Sequence, residues 1–216
     1  ELVWTTADLT VKGGYAATTD VGLPGARDSS QWPTILQRGS TNVHRILFLN
    51  GVTNGVLEQF TLTGGRATAS PNYTPGGGLY IVNSTNVRID ACVISNNLVD
   101  ASYSGRGAGL AVSSSWVMVT NSLIVDNVVG MFFEASSRNR FRWNVVAQND
   151  IALKIFQNSD ENIFAENAFI DNIIPLSVVG KKTSTRWSLG GRGNYWSDYE
   201  GYDLDGDGVG DVPLTI

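Results

Sequence analysis

The chain has 216 residues, of which 42% are hydrophobic and only 16% charged, with 24 glycines. That balance supports a continuous core of many short strands joined by tight turns, and argues against a helical protein. A net charge of −5 argues against nucleic acid or an anionic membrane as partner, and a single cysteine excludes an internal disulfide.

No apolar run approaches the roughly 18 residues of a membrane-spanning helix. The chain opens at Glu1 with no signal peptide, as a processed or cut chain would. Leu9 and Val11 alternate with polar neighbours until Gly13-Gly14 break the strand. Residues 16–43 read as a loop in which Ile35-Leu36 re-enter the core, so 1–43 form a first coil and a long loop.

From residue 44 an internal repeat sets the fold. Its units span 78–97, 109–127, 130–149 and 152–172, with a weaker copy at 45–65. Each holds a short apolar strand, a polar turn, a second strand, and a third ending in Asn. The closing residues are Asn97, Asn127, Asn149 and Asn172, at steps of 30, 22 and 23; residues 98–106 lengthen the first step. Leucine-rich repeats need regular leucines and a helical turn, and WD40 blades run to about 40–45 residues. The spacing therefore predicts an all-β fold: a right-handed, single-stranded parallel β-helix with rungs of about 22 residues over 44–183.

Alternation places Leu57, Phe60, Leu62, Leu79, Ile81, Ile89, Cys92, Ile94, Leu110, Val112, Val119 and Ile124 inside. Met131, Phe133, Phe141, Leu153, Ile155, Phe164 and Phe169 continue the series. The recurrent Asn residues are expected to form a ladder at one corner, because Asn tolerates the left-handed conformation and its amide reaches neighbouring rungs. The alternative is that Asn is there as an ordinary turn residue.

Residues 184–216 break the pattern and read as a terminal cap. Trp187, Tyr195, Trp196, Tyr199 and Tyr202 supply aromatic bulk. Asp203, Asp205, Asp207 and Asp211, with the Val209 carbonyl, follow the spacing of a compact calcium loop, and Gly208 permits the turn. The position of the usual bidentate Glu is Leu214, which argues against a full helix–loop–helix. Hard oxygen donors favour calcium over zinc or copper. A solvated acidic turn is the alternative.

For a ligand face, Glu58 and Asp90 align on successive rungs, and Thr120 ends that stripe. Trp116, Trp143 or Tyr80 would stack on sugar rings if exposed. Arg140 and Arg142, with Arg138, would line a negative ligand or form a solubilising face. His44 stands without a partner and reads as structural. No catalytic residue set is assigned.

Residues 137–214 resemble the C-terminal half of NosD-type proteins, within the carbohydrate-binding and sugar-hydrolysis β-helices. NRFRWN (139–144), ENIFAENAFIDN (161–172), TRWSLGGRGNYWSDY (185–199) and GYDLDGDGVGDVP (201–213) carry the likeness. Residues 7–109 are similar to secreted β-helix repeats of the polymorphic outer-membrane type, through DLTVKGGY, PTIL, LEQFTLTGG and GGGLYI. The NosD resemblance implies an extracytoplasmic β-helix and a part in copper delivery to nitrous oxide reductase. Soft and imidazole donors for copper are few: Met118, Met131, His44 and Cys92.

The function expected is a non-catalytic extracytoplasmic domain in a structural, docking or adhesion role, with a calcium-tied cap. Its partner would be an envelope or extracellular protein, or a glycan. The alternatives are a carbohydrate-binding or polysaccharide-cleaving module, and a NosD-like accessory factor. Residues 66–77 and 98–106 are the expected adjustable contact loops.

Overall fold

The computed structural model describes residues 1–20, 22–39, 42–67, 75–99, 107–180, 183–204, 206 and 212. Among these there are strands and no helix, and every pairing between strands is parallel. Three long ladders run along the molecule. The first sheet stacks Leu2–Trp4, Leu47–Asn50, Leu79–Val82, Leu110–Ser113, Val129–Glu134, Ile151–Phe156 and Ile174–Val179. The second stacks Thr10–Lys12, Val56–Glu58, Thr85–Asp90, Trp116–Thr120, Arg140–Arg142 and Ile163–Ala165. The third runs from Thr34–Gln37 through Phe60–Thr63, Val93–Ser95, Leu123–Val125, Val145–Ala147 and Ala168–Ile170 to Tyr195–Trp196. The chain visits the three in turn, which makes a parallel β-helix.

The corners follow from backbone chemistry. Between the second and third sheets one residue turns the chain: Gln59, Ala91, Asn121, Trp143 or Glu166, with φ between 50° and 59°. After the third sheet the same left-handed turn falls on Asn96, Asp126, Gln148 and Asp171, and after the first on Asn83, Ser114, Ala135 and Asn158. A single residue in this region redirects a strand without spending a loop.

Alternation fills the interior. Every inward side chain predicted from Leu57 to Phe169 is buried, in one cluster that reaches from Trp4 to Trp196. Phe141 and Phe164 stack at 4.8 Å, with Phe133 edge-on at 5.2 Å and 5.8 Å respectively. Such pairs add roughly 0.5–1.5 kcal/mol beyond the buried area. The stack continues into the cap. Trp187 lies on Phe164 at 5.3 Å, Trp196 on Phe169 at 4.2 Å, and the two indoles meet at 6.0 Å. Tyr199 packs against the same core, whereas Tyr195 and Tyr202 are exposed.

Two expectations are refined. Within Thr34–Gln37 only Leu36 packs on the core, and Ile35 faces solvent. The excursions after Asn97 and Gly65 begin as paired strands, Leu98–Val99 against Arg66–Ala67, outside the three ladders. Residues 68–74 and 100–106 lie outside the described residues. Where the second excursion returns, Gly107 (φ 62°) lies against the outer face of the first sheet. A Cβ there would come within 2.7 Å of the Phe132 Cβ. This approach helps to bury Phe132 and Ala111, although both point outward from the coil.

Candidate functional site: three outer faces and their ladders

The outer face of the second sheet carries the charge. Strand alternation puts Lys12, Glu58, Asp90, Thr120 and Arg142 in one register. Glu58 is held by Arg27 at 3.1 Å, by Lys12 at 3.9 Å and by Arg88. Asp90 takes Arg88 at 3.5 Å and accepts from Thr120 Oγ1 (2.7 Å) and Asn121 Nδ2 (2.9 Å). Both carboxylates are thus engaged by neighbouring donors. A glycosidase pair instead needs one acid and one free base across a cleft. Arg142 pairs with Glu166 and lies 4.2 Å over the Trp143 ring. Arg138 pairs with Glu161 at 2.9 Å. Arg140 is exposed, in register with Met118 and Ile163.

At the leading edge of this sheet the coils differ by one residue. Two residues separate the preceding Ser from the next inward position in three coils: Thr85-Asn86, Ser137-Arg138 and Asp160-Glu161. Only Trp116 does so in the coil between, and the register shifts at Trp116/Val117. The missing residue leaves a notch of about 600 Å³ lined by Thr85, Trp116, Ser137, Arg138, Arg140, Asp160 and Glu161. A β-sheet irregularity of this kind re-aims a side chain. Trp143 is not in the notch; it stands at the opposite corner, 51% exposed. Tyr80 lies on the first sheet, stacked on Phe48 at 5.4 Å under the Arg45 guanidinium.

The third sheet presents no charge. Its outward residues form two files, Ile35, Thr61, Val93, Leu123, Val145, Ala168, Tyr195 and Gln37, Thr63, Ser95, Val125, Ala147, Ile170. All are aliphatic, aromatic or neutral polar. Tyr195 is 62% exposed, and Trp143 flanks the sheet.

Inside the corners run polar files. The side-chain oxygens of Asn97, Asn127, Asn149 and Asn172 each accept from a backbone amide of the coil before, at 2.9–3.1 Å. Sequence reasoning missed three others. Ser84, Ser115, Ser136 and Ser159 repeat the pattern with hydroxyls at 3.0–3.3 Å. Ser122, Asn144, Asn167 and Asn194 form a third file, and Asn139 with Asn162 a fourth. Their signal was present as Ser or Asn recurring one coil apart, but both are frequent turn residues.

The soft donors do not converge. Cys92 and Met131 are core residues, and Met118 lies on the outer face of the second sheet, in register with Arg88 and Arg140. The His44 Nδ1 is 2.8 Å from the Arg45 carbonyl. Burial pushes the Cys92 thiol up to about 11, away from the thiolate that metals require. In the acidic segment, Asp203 Oδ1 accepts from the Gly206 amide at 2.7 Å. Asp205, Asp207, Val209 and Asp211 lie outside the described residues. Among the described residues no three of His, Cys, Asp and Glu gather as a metal site.

Residues 51–201 match the family model described as periplasmic copper-binding protein (NosD). Two curated relatives carry the name probable ABC transporter binding protein NosD. The one from Pseudomonas aeruginosa is 33% identical over 156 residues, and the one from Stutzerimonas stutzeri 31% over 160. Each alignment takes in 71% of this chain and 31% of the relative, so the chain spans about a third of the length of the curated relatives it matches. The family description overturns the calcium expected at the cap: the metal it names is copper. The physical reason for the error is local. Alternating Asp and Gly serve a hydrogen-bonded turn as readily as an ion, and the Asp203–Gly206 bond is such a turn.

Proposed function

The chain belongs to the NosD family, and on that premise we propose that it is a non-catalytic periplasmic column that docks a protein partner. Residues 1–43, 44–183 and 184–216 are read as a single domain. The observation that carries this reading is the uncharged outer face of the third sheet, flanked by the exposed Trp143. Interface cores are depleted of charge, as this face is, and they favour exposed aromatics such as the Tyr195 on it and the Trp143 at its corner. The relatives' name supplies the partner class, an ABC transporter, within an assembly that handles copper. The engagement of Glu58 and Asp90 by cations supports a non-catalytic role.

Affinity capture from native membranes tests the reading. The wild-type chain should return an ABC transporter subunit. Val145→Lys, at the exposed position of the Leu123–Val145 pair, should lose it with an unchanged melting temperature. Capture of the same subunit by the variant, or of none by the wild type, refutes the proposal.

The notch at Trp116 favours a second reading, a saccharide site. Its charged lining balances, with Arg138 and Arg140 against Asp160 and Glu161, which suits a neutral polyhydroxyl ring stacked on an indole. Tryptophan fluorescence titrated with neutral oligosaccharides should then saturate in the wild type and stay flat in Trp116→Ala.

A further inference from the structure

We infer that this segment of the NosD fold does not itself ligate copper, and that the metal named by the family description is held on other parts of a longer chain or on a partner. The donor inventory is complete: the sequence contains one Cys, one His and two Met. Copper traffic needs several soft or imidazole donors at one point. Each of the four has a different structural duty, and no two share a face that could serve the metal.

Cys92 is a member of a polar file. Its backbone amide donates to Ser122 Oγ at 3.1 Å, and its Sγ lies 3.4 Å from the Asp90 carbonyl. Ser122, one coil on, makes the same bond with its hydroxyl, to the Thr120 carbonyl at 2.8 Å. The thiol therefore fills a serine slot, buried between coils, and its reluctance to ionise is a consequence. Met131 fills the core between Leu110 and Leu153, in register with both. Met118 is the accessible thioether, but the side chains directly opposite it on either side are Arg88 and Arg140. Two guanidiniums in register with one sulfur oppose a cation there. His44 stands at the start of the first sheet, its Nδ1 at the Arg45 carbonyl and the Arg45 guanidinium over Phe48 at 4.7 Å. The Glu1 amino group lies 3.2 Å from the same Nδ1, and the three sulfurs belong to other parts of the coil, Cys92 and Met131 in the core and Met118 on the second sheet.

The inference does not depend on the docking reading, and it is tested on the whole chain by competition for cuprous ion. The Cu(I)–bathocuproine complex is titrated with the protein and its absorbance followed. The expected result is no withdrawal of copper at one equivalent of protein, and the same flat titration for His44→Ala, Cys92→Ser and Met118→Ala. Stoichiometric withdrawal overturns the inference. If one substitution abolishes it, that donor belongs to a real site; if all three retain it, the site uses other ligands of this chain.

Discussion

A single oxygen of Asn149 serves two donors of Asn127: Oδ1 accepts the Asn127 backbone amide at 3.0 Å and its Nδ2 at 3.1 Å. Asn127 repeats the service for Asn97 at 3.1 Å in both bonds. It also donates Nδ2 to the Ile94 and Val125 carbonyls, at 3.0 and 2.9 Å. The amide is therefore a cross-coil clamp whose every function is in use.

Asn127→Leu is expected to cost roughly 2–4 kcal/mol, because it strands buried donors and acceptors on two coils. Asn172→Leu, at a half-buried position nearer the end of the file, should cost about 1 kcal/mol. Urea unfolding of the two variants checks the ranking, and equal losses would remove the clamp from the account.

Trp143 holds a left-handed backbone (φ 58°) at a position where the coil before has Asn121. Among the described residues its ring receives the Arg142 guanidinium, at 4.2 Å. Trp143→Asn should relieve strain of about 1 kcal/mol and lose a cation–π contact of similar size. Thermal melts should therefore coincide, while capture of the transporter falls.

Burial raises the Cys92 thiol from its ordinary 9.0 to about 11. Between those values the unfolded chain releases a proton that the folded chain keeps. The stabilisation is full below pH 9 and is lost as pH rises through 11, a change of roughly 2–3 kcal/mol. Stability curves of wild type and Cys92→Ser should run parallel below pH 9, and above it the wild-type curve should fall relative to that of the variant. Curves parallel to pH 11 would show that the thiol is not buried.

Trp196 is buried on Phe169, whereas its neighbour Tyr195 faces out. Trp196→Ala should cost about 3–5 kcal/mol and Tyr195→Ala under 1. Denaturant midpoints separate them.

The architecture was legible because the interior obeys one rule. Period-two alternation from Leu57 to Phe169 fixes which side chains go in, and the recurrent Asn residues fix the coil length. The surfaces obey no such local rule. Lys12 and Arg27 reach Glu58 from the first coil, whose loop carries no repeat. The neutrality of the third face emerges only when strands from Thr34–Gln37 to Tyr195–Trp196 are laid in register. The serine file was hidden by the abundance of Ser in turns. At the cap, a correct reading of spacing led to the wrong ion, because spacing alone does not record which acceptor is already bonded.

All four polar files advance by 23 residues across the coil from Ser136 to Ser159, from Asn139 to Asn162, from Asn144 to Asn167 and from Asn149 to Asn172. A coil of that kind is a removable module. Excising residues 137–159 would bring Asn162, Asn167 and Asn172 down to the level of Ser136, with each file still in step. The height of the column can thus change in increments of about 4.8 Å. The distance between whatever engages its two ends is then set by how many modules the gene retains, with no new contact having to be devised.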